Sequence, residues 1–273
     1  MRTNRHDGGP VSVVDRISIL LNTFTGAGPL TLSQITQRTG LPRSSVHRLL
    51  EQLAGAGWLA REDHTYELGI RAYETGQSAL TQNRLRLGAT QTVRRLAQTT
   101  GMTVHLAAYD RGDVIYLDKL SGINAPTLPT RIGARVPAHL TAVGKVVMAN
   151  FDADRRSKVL GRPLQRRTVH SITSPAQLDE EFERIRDHGV AYDRGELLVG
   201  IGCVAATIGS ASDQYGNRAA ISVCGPVRDV KFNRLAGAVR MAARDIWNTC
   251  VSAHLAAEQE ADFHRMESKI RSA

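Results

Sequence analysis

Cysteine and aromatic residues are both scarce, with three cysteines and 5% Phe, Trp and Tyr in 273 residues. Cys203, Cys224 and Cys250 are odd in number, far apart and without a CxxC spacing. Neither a disulfide framework nor a zinc site is indicated, and reduced thiols are expected. No apolar run approaches the ~18 residues of a membrane span, and the opening MRTNRHDGGPVS has no apolar stretch of the secretory kind. The expectation is a cytoplasmic protein with no membrane partner. Motifs of catalysis are missing as well. Lys145 follows Gly144, but the phosphate-cradling GxxxxGK[ST] pattern fails at His139 and Val146. There is no GxSxG elbow, and none of the nine histidines has the HxxxH spacing of a helical zinc pair. Asp193 and Glu196, three apart in an expected loop, suit ligand binding or backbone capping better than acid/base chemistry. The chain is expected not to be an enzyme and to need no cofactor.

What is present is an ordinary globular balance, 42% hydrophobic and 22% charged, over a length suited to two domains. A net charge of +9 suits a polyanionic partner. Its distribution does not point to the N-terminus, because residues 1–83 hold eight arginines against seven acids. Pattern has to locate the function.

Residues 1–11 lack periodic apolar positions and read as a flexible tail, with Arg2 and Arg5 as its phosphate-seeking groups. From Ser12, a candidate N-cap, Val13, Ile17, Leu20, Leu21 and Phe24 recur at helical spacing up to a stop at Gly26. Thr31 and Gly40 bracket a second, short helix. A third follows a tight turn, with Pro42 in its first turn and Val46, Leu49, Leu50 and Leu53 on the buried face. Burying that face turns Arg43, Ser44, Ser45, His47 and Arg48 outward. Arginine pairs bidentately with guanine or holds phosphate, serine reaches either, and a helix N-terminus favours phosphate. The segment WLAREDHTYELG then reads as a hairpin turning at Glu62 to His64. Two short helices and a hairpin in this order form a winged helix-turn-helix, whose second helix enters the major groove.

The run Val13–Gly69, with LSQITQRTGLPRSSVHRLLEQLAGAGWL and the ending Tyr66-Glu67-Leu68-Gly69, resembles the DNA-binding domain of the IclR-type bacterial transcription regulators. The resemblance makes the helix at Pro42 the recognition helix. Thr31, Ser33 and Arg61 complete the candidate DNA-contacting set with Arg43, Ser44, Ser45, His47 and Arg48.

Residues 71–86 read as a linker helix, with a break expected between Asn83 and Leu87. Arg84, Arg86, Arg94 and Arg95 form a cluster explained by a solvated face. From Met102 the texture turns to β, with TVHLAAY and DVIYLDKL flanking a turn at Asp110 to Gly112. An apolar helix from about Thr141, an amphipathic helix between Ser174 and Gly189, two β runs separated by a turn at Asp213 to Asn217, and a long helix from about Asp229 follow. This order argues an α+β domain with helices on one face of a sheet and a pocket on the other.

The segments LPTRIGARVPAHLTAVGK, ERIRDHGVAYDRGELLVGIGCVAATI and AAISVCGPV are similar to the IclR-type effector-binding domain, which implies a GAF-like fold over residues 87–258, before a C-terminal tail at 259–273. Thr207 departs from the pattern, where a proline commonly follows the Ala-Ala pair. The resemblance implies a cavity walled by Leu128, Val136, Ala142, Val143, Asp193, Ile201, Cys203, Ala220 and Ser222. Such aliphatic walls with a few polar groups suit a small ligand. Main-chain N–H groups at Ala142 to Gly144 could hold a carboxylate, with Arg131, Arg135 and His139 as further anion partners. Cys203, with nothing in its sequence neighbourhood to lower its pKa, reads as a packed thiol. The expected protein is a homodimer or tetramer on double-stranded operator DNA, repressing under control of a small organic acid or aromatic metabolite, with activation of a catabolic operon, a redox-sensing regulator acting through Cys203, or an enzyme as the alternatives.

Overall fold

The structure, a computed structural model, describes residues 12–123, 125–209, 218–230 and 232–271, and side chains as far as residue 252. The expected tail at 1–11 and the expected turn at Asp213 to Asn217 lie outside the described residues. The chain divides between Asn83 and Arg84 into two units.

In the first unit, α1 (Val13–Asn22) opens on a capping box in which the Ser12 hydroxyl accepts the Asp15 N–H while the Asp15 carboxylate accepts the Ser12 N–H. It stops short of Gly26, which instead takes φ 71° in the turns that follow. Thr31 and Gln34 make the same box at the start of α2 (Leu32–Thr39), and Gly40 closes it at φ 67°, in the left-handed region. Helix α3 runs Arg43–Gly55, so Pro42 stands at the N-cap rather than inside the first turn. Strands β2 (Leu59–Glu62) and β3 (Thr65–Leu68) form the hairpin, and β3 also pairs with a two-residue strand, β1 (Leu30–Thr31), that the spacing did not suggest. Leu20, Ile35, Val46 and Leu50 are wholly buried where the helices and hairpin meet. Each contributes about 1.5–3 kcal/mol by leaving water. Helix α4 (Ile70–Gln82) buries none of its residues, and the helical path breaks at Asn83, at the start of the expected interval.

The second unit is a six-stranded antiparallel sheet of order β6-β5-β4-β9-β8-β7. Its strands are β4 (Thr103–Asp110), β5 (Asp113–Ser121), β6 (Arg135–Pro137), β7 (Ala191–Arg194), β8 (Ile201–Ile208) and β9 (Ala219–Pro226). The β4–β5 turn has positive φ at both central residues, Arg111 and Gly112, as the right-handed twist of a tight hairpin requires.

Helices cover both faces of this sheet, not one. Val104, Leu106, Val204, Ala206, Ile221 and Val223 pack against α5 (Arg84–Thr100) and α9 (Phe232–Arg271). Ala107, Ala205 and Ala220, on the other face, pack against α6 (Ala142–Met148) and α8 (Pro175–His188). Both sets of alternate residues in β8 and β9 are apolar or small, so each face demands cover. A further helix, α7 (Ala153–Leu160), completes the second layer. Helix α9 takes in residues 259–271, where a tail was expected. The arginine cluster disperses: Arg95 pairs with Asp245 of α9 at 2.8 Å, and Arg86 lies 4.0 Å from Asp118.

Candidate functional site

Helix α3 buries Val46, Leu49, Leu50 and Leu53, and this stripe fixes what the other side shows. Arg43, Ser44, His47 and Arg48 are exposed and Ser45 is half-buried. No side chain caps the first turn of α3, so its N–H groups and the positive end of its dipole are presented beside Arg43 and Ser44. Arg43 Nη1 donates to Ser33 Oγ at 3.1 Å, tying the start of α3 to an exposed residue of α2. Two of the sequence candidates have internal duties. The Thr31 hydroxyl is engaged with Gln34 in the α2 cap. Arg61 of β2 donates to Glu51 of α3 at 2.9 Å, and the same carboxylate oxygen accepts the Tyr66 hydroxyl at 2.9 Å. The guanidinium also lies 5.6 Å from the Tyr66 ring centroid. Burial first, then Glu51, raises the Tyr66 pKa.

In the second unit a cavity of about 20 Å³ lies between the sheet and the start of α6. That is room for about one water molecule. Leu128, Ala142, Val143, Asp193, Ile201, Cys203 and Ser222 stand together on its wall. Val136 and Ala220 do not. Val136 pairs with Val114 across β5–β6 and packs half-buried into the core cluster under α6 and α8. Ala220, two residues from Ser222 on the same strand face and so about 7 Å away, is buried in that cluster. The wall also includes His105, Tyr116, Thr130, Thr141, Leu197, Leu198 and Cys224, which sequence reasoning missed. For two of these a signal existed: His105 on β4 and Cys224 on β9 interrupt runs in which the neighbouring residues are apolar. Thr130, Leu197 and Leu198 come from irregular segments with no periodicity to read.

Helix α6 is pinned at its start. The Thr141 hydroxyl accepts the Gly144 N–H at 2.9 Å, so that group is already engaged and not free for a carboxylate. A Cβ on Gly144 would sit 2.1 Å from the Ala138 carbonyl oxygen, and only glycine lets the 3-10 turn Ala138–Leu140 approach so closely. The other suggested anion partners stand off the wall: Arg135 pairs with Asp110 at 2.6 Å, His139 shares a hydrogen bond with the Gln165 carbonyl at 3.0 Å, and Arg131 is exposed.

Beside the cavity lies a buried charge network. Lys145 is fully buried, and its Nζ donates to Glu196 Oε1 at 2.6 Å and Glu181 Oε1 at 3.4 Å. Glu181 Oε2 accepts from Arg184 at 2.9 Å, whereas Glu196 Oε2 is buried with no partner among the described residues. Burial raises the Glu196 pKa against the pull of Lys145. Asp193 Oδ1 accepts the N–H groups of Gly195 at 3.0 Å and Glu196 at 2.7 Å. Desolvation, reinforced by the nearby Glu196 carboxylate, still pushes Asp193 up to about 7. At neutral pH this wall residue can donate as well as accept a hydrogen bond.

Cys203 is not the isolated thiol that its sequence neighbourhood suggests. It stands opposite Cys224 in the β8–β9 register, and the two sulfurs are hydrogen-bonded. The bond from Cys203, with His105 and Ser222 beside the sulfur, holds Cys224 below the ordinary thiol range, and the same bond with burial holds Cys203 above it.

The family description "Bacterial transcriptional regulator IclR C-terminal" matches residues 77–248, and "IclR helix-turn-helix domain" matches residues 13–63. Among curated relatives, the HTH-type transcriptional regulator BhcR of Paracoccus denitrificans is 30% identical over 247 residues, 88% of each chain. Transcriptional repressor IclR of Escherichia coli is 29% identical over 214 residues, 76% of this chain and 77% of that one. Among solved structures, an IclR homolog from Microbacterium hydrocarbonoxydans complexed with 4-hydroxybenzoate is 27% identical with a TM-score of 0.77, covering 88% of this chain and 100% of that one. With matches to both of its units in the family's order, this chain belongs to the IclR family of bacterial transcription regulators, which are DNA-binding proteins and not enzymes.

Proposed function

We propose that the protein is a repressor acting in the cytoplasm as a homodimer or tetramer, which releases its operator when a small organic acid enters the cavity of the second unit. The observation that carries the reading is the bare first turn of α3, where Arg43, Ser44, His47 and Arg48 stand exposed around an uncapped helix N-terminus. Such a helix end holds phosphate while its arginines reach guanine edges. Val13, Val14, Ile70 and Tyr73 are exposed at 58%, 71%, 67% and 63%, an apolar surface that pairing of two first units would cover. Pairing matches a pseudo-palindromic operator with half-sites one helical turn apart.

The choice of an organic acid rests on the wall. Tyr116 and Leu128 supply apolar cover, Thr130 and Ser222 supply hydroxyls, and Asp193 holds its proton near neutrality and so does not repel an anion. The 4-hydroxybenzoate complex of the Microbacterium relative makes aromatic acids the first class to try. A ring of that size exceeds about 20 Å³ several-fold, so entry requires the Leu197–Leu198 side to move outward. Occupancy then selects one conformation, changes the spacing of the paired α3 helices and shifts DNA affinity by a coupling of about 1–3 kcal/mol.

The test selects a duplex from a random pool with the full-length protein and titrates it by fluorescence anisotropy against a panel of small organic and aromatic acids. The expected result is one duplex preferred over random sequence and one acid class that weakens it. Val143→Trp should keep the preference and lose the response. No preference for any duplex, with or without acids, sinks the proposal, and a normal response in Val143→Trp sinks its effector half.

A further inference from the structure

The cavity wall carries chemistry that a reversible effector site does not use. Cys203 and Cys224 are register partners on β8 and β9, and both line the cavity. Directly opposed residues of antiparallel strands have Cα atoms about 4.5–5.5 Å apart, inside the range that a disulfide spans. Closing a bond between them requires rotation of the side chains and a slight approach of the two strands, because opposed Cβ atoms stand about 4.5–5.5 Å apart and a disulfide holds them at about 3.5–4.5 Å. Cys224 Sγ lies 3.5 Å from His105 Nδ1 and 3.6 Å from Ser222 Oγ, while His105 Nε2 lies 2.8 Å from Thr130 Oγ1. A sulfur beside an imidazole that a third group orients is the arrangement of an activated nucleophile. The third thiol, Cys250, belongs to α9 on the opposite side of the sheet and has neither neighbour.

We propose that Cys203 and Cys224 form an oxidation site, at which hydrogen peroxide converts the two thiols into a cross-strand disulfide. His105 Nδ1 accepts the Cys224 thiol proton, and the thiolate attacks one peroxide oxygen as the O–O bond breaks. The departing hydroxide takes the proton held by His105 and leaves as water, with Cys224 as a sulfenic acid. The Cys203 sulfur then attacks the Cys224 sulfur, the S–O bond breaks, and the hydroxide takes the Cys203 proton. Two thiols and one peroxide give one disulfide and two waters. The thiols lose the two electrons that the peroxide gains. The cavity, with room for about one water-sized molecule, admits the smallest peroxide most readily. The site stands on the register and on His105, whatever effector the cavity takes.

The experiment exposes the full-length protein to hydrogen peroxide, alkylates the remaining thiols and maps the cysteines by mass spectrometry. Cys203 and Cys224 peptides should emerge joined, with Cys250 alkylated. In Cys203→Ser the reaction should stop at Cys224 sulfenic acid, which dimedone captures. His105→Gln should slow the loss of free Cys224 on the order of a hundredfold. Recovery of Cys203 and Cys224 both alkylated under conditions that consume Cys250 would overturn the proposal. So would Cys203→Ser protein from which dimedone recovers nothing at Cys224.

Discussion

The two units treat polar residues in opposite ways. Among the described residues, every buried polar or charged one, from Thr92 to Ser222, belongs to the second unit, and the first has only apolar side chains and Tyr66 inside. The first unit therefore works by display: a plain aliphatic core fixes a helix whose charges face outward. The second works by concealment, with a lysine, three carboxylates, a histidine and a thiol held out of water beside or within reach of a small cavity. Recognition of a polyanion needs exposed charge, whereas selection of a small molecule gains from groups whose protonation and reactivity burial has altered.

Breaking the concealed network should cost most. Lys145→Ala leaves Glu196 and Glu181 without their buried cation. A loss of about 3–5 kcal/mol is expected for the second unit, followed by chemical denaturation, with little effect on a separate transition of the first. Wild-type stability with the alanine in place would show that water already reaches these carboxylates.

Next in size is a pH effect. Folded Asp193 keeps its proton up to about pH 7, whereas a free aspartate carboxyl releases it near 3.8. Between these values the folded state binds the extra proton, so this group makes stability fall as the pH rises from about 4 to about 7. Asp193→Asn should flatten that slope and raise the melting temperature at pH 8 relative to pH 5. An identical slope in the variant would assign the effect to another group.

The display side is sharpened by Arg43→Ala and Arg48→Ala. Each should weaken operator binding by about 1–3 kcal/mol in a gel shift while leaving the melting profile alone. A change in stability without a change in affinity would make these residues part of the scaffold. The smallest effect belongs to Thr31→Ala. Loss of the α2 cap should lower the stability of the first unit by about 1 kcal/mol and reduce DNA binding only in proportion to the folded fraction. A much larger loss of affinity would return Thr31 to the DNA-contacting set.

The same contrast governs what could be read from sequence. In the first unit the signals are local and mutually consistent: Ser12 and Thr31 cap, Gly40 turns left-handed, and Val46 to Leu53 repeat with the helical period. In the second unit Ser174 and Gly189 delimit α8 as their types demand, and the Arg111-Gly112 turn joins its two strands. The cavity was less accessible to such reading. Its aliphatic wall came from family resemblance, because Val143 or Ile201 looks like any core residue. Lys145 was hidden because every residue of α6 is buried, leaving no polar face to mark the lysine as unusual. The partnership of Cys203 with Cys224 depends on strand register, which residue spacing across a long turn does not specify. The expectation of a one-sided sheet failed because fully covered strands give a continuous apolar texture that does not reveal how many layers lie over them.

The single carboxylate of Glu51 receives both Arg61 and Tyr66 from the hairpin. The hairpin is thereby tied to α3 one turn along from Arg48. A force that tilts the helix therefore carries the hairpin with it, so the two elements answer to one small rotation.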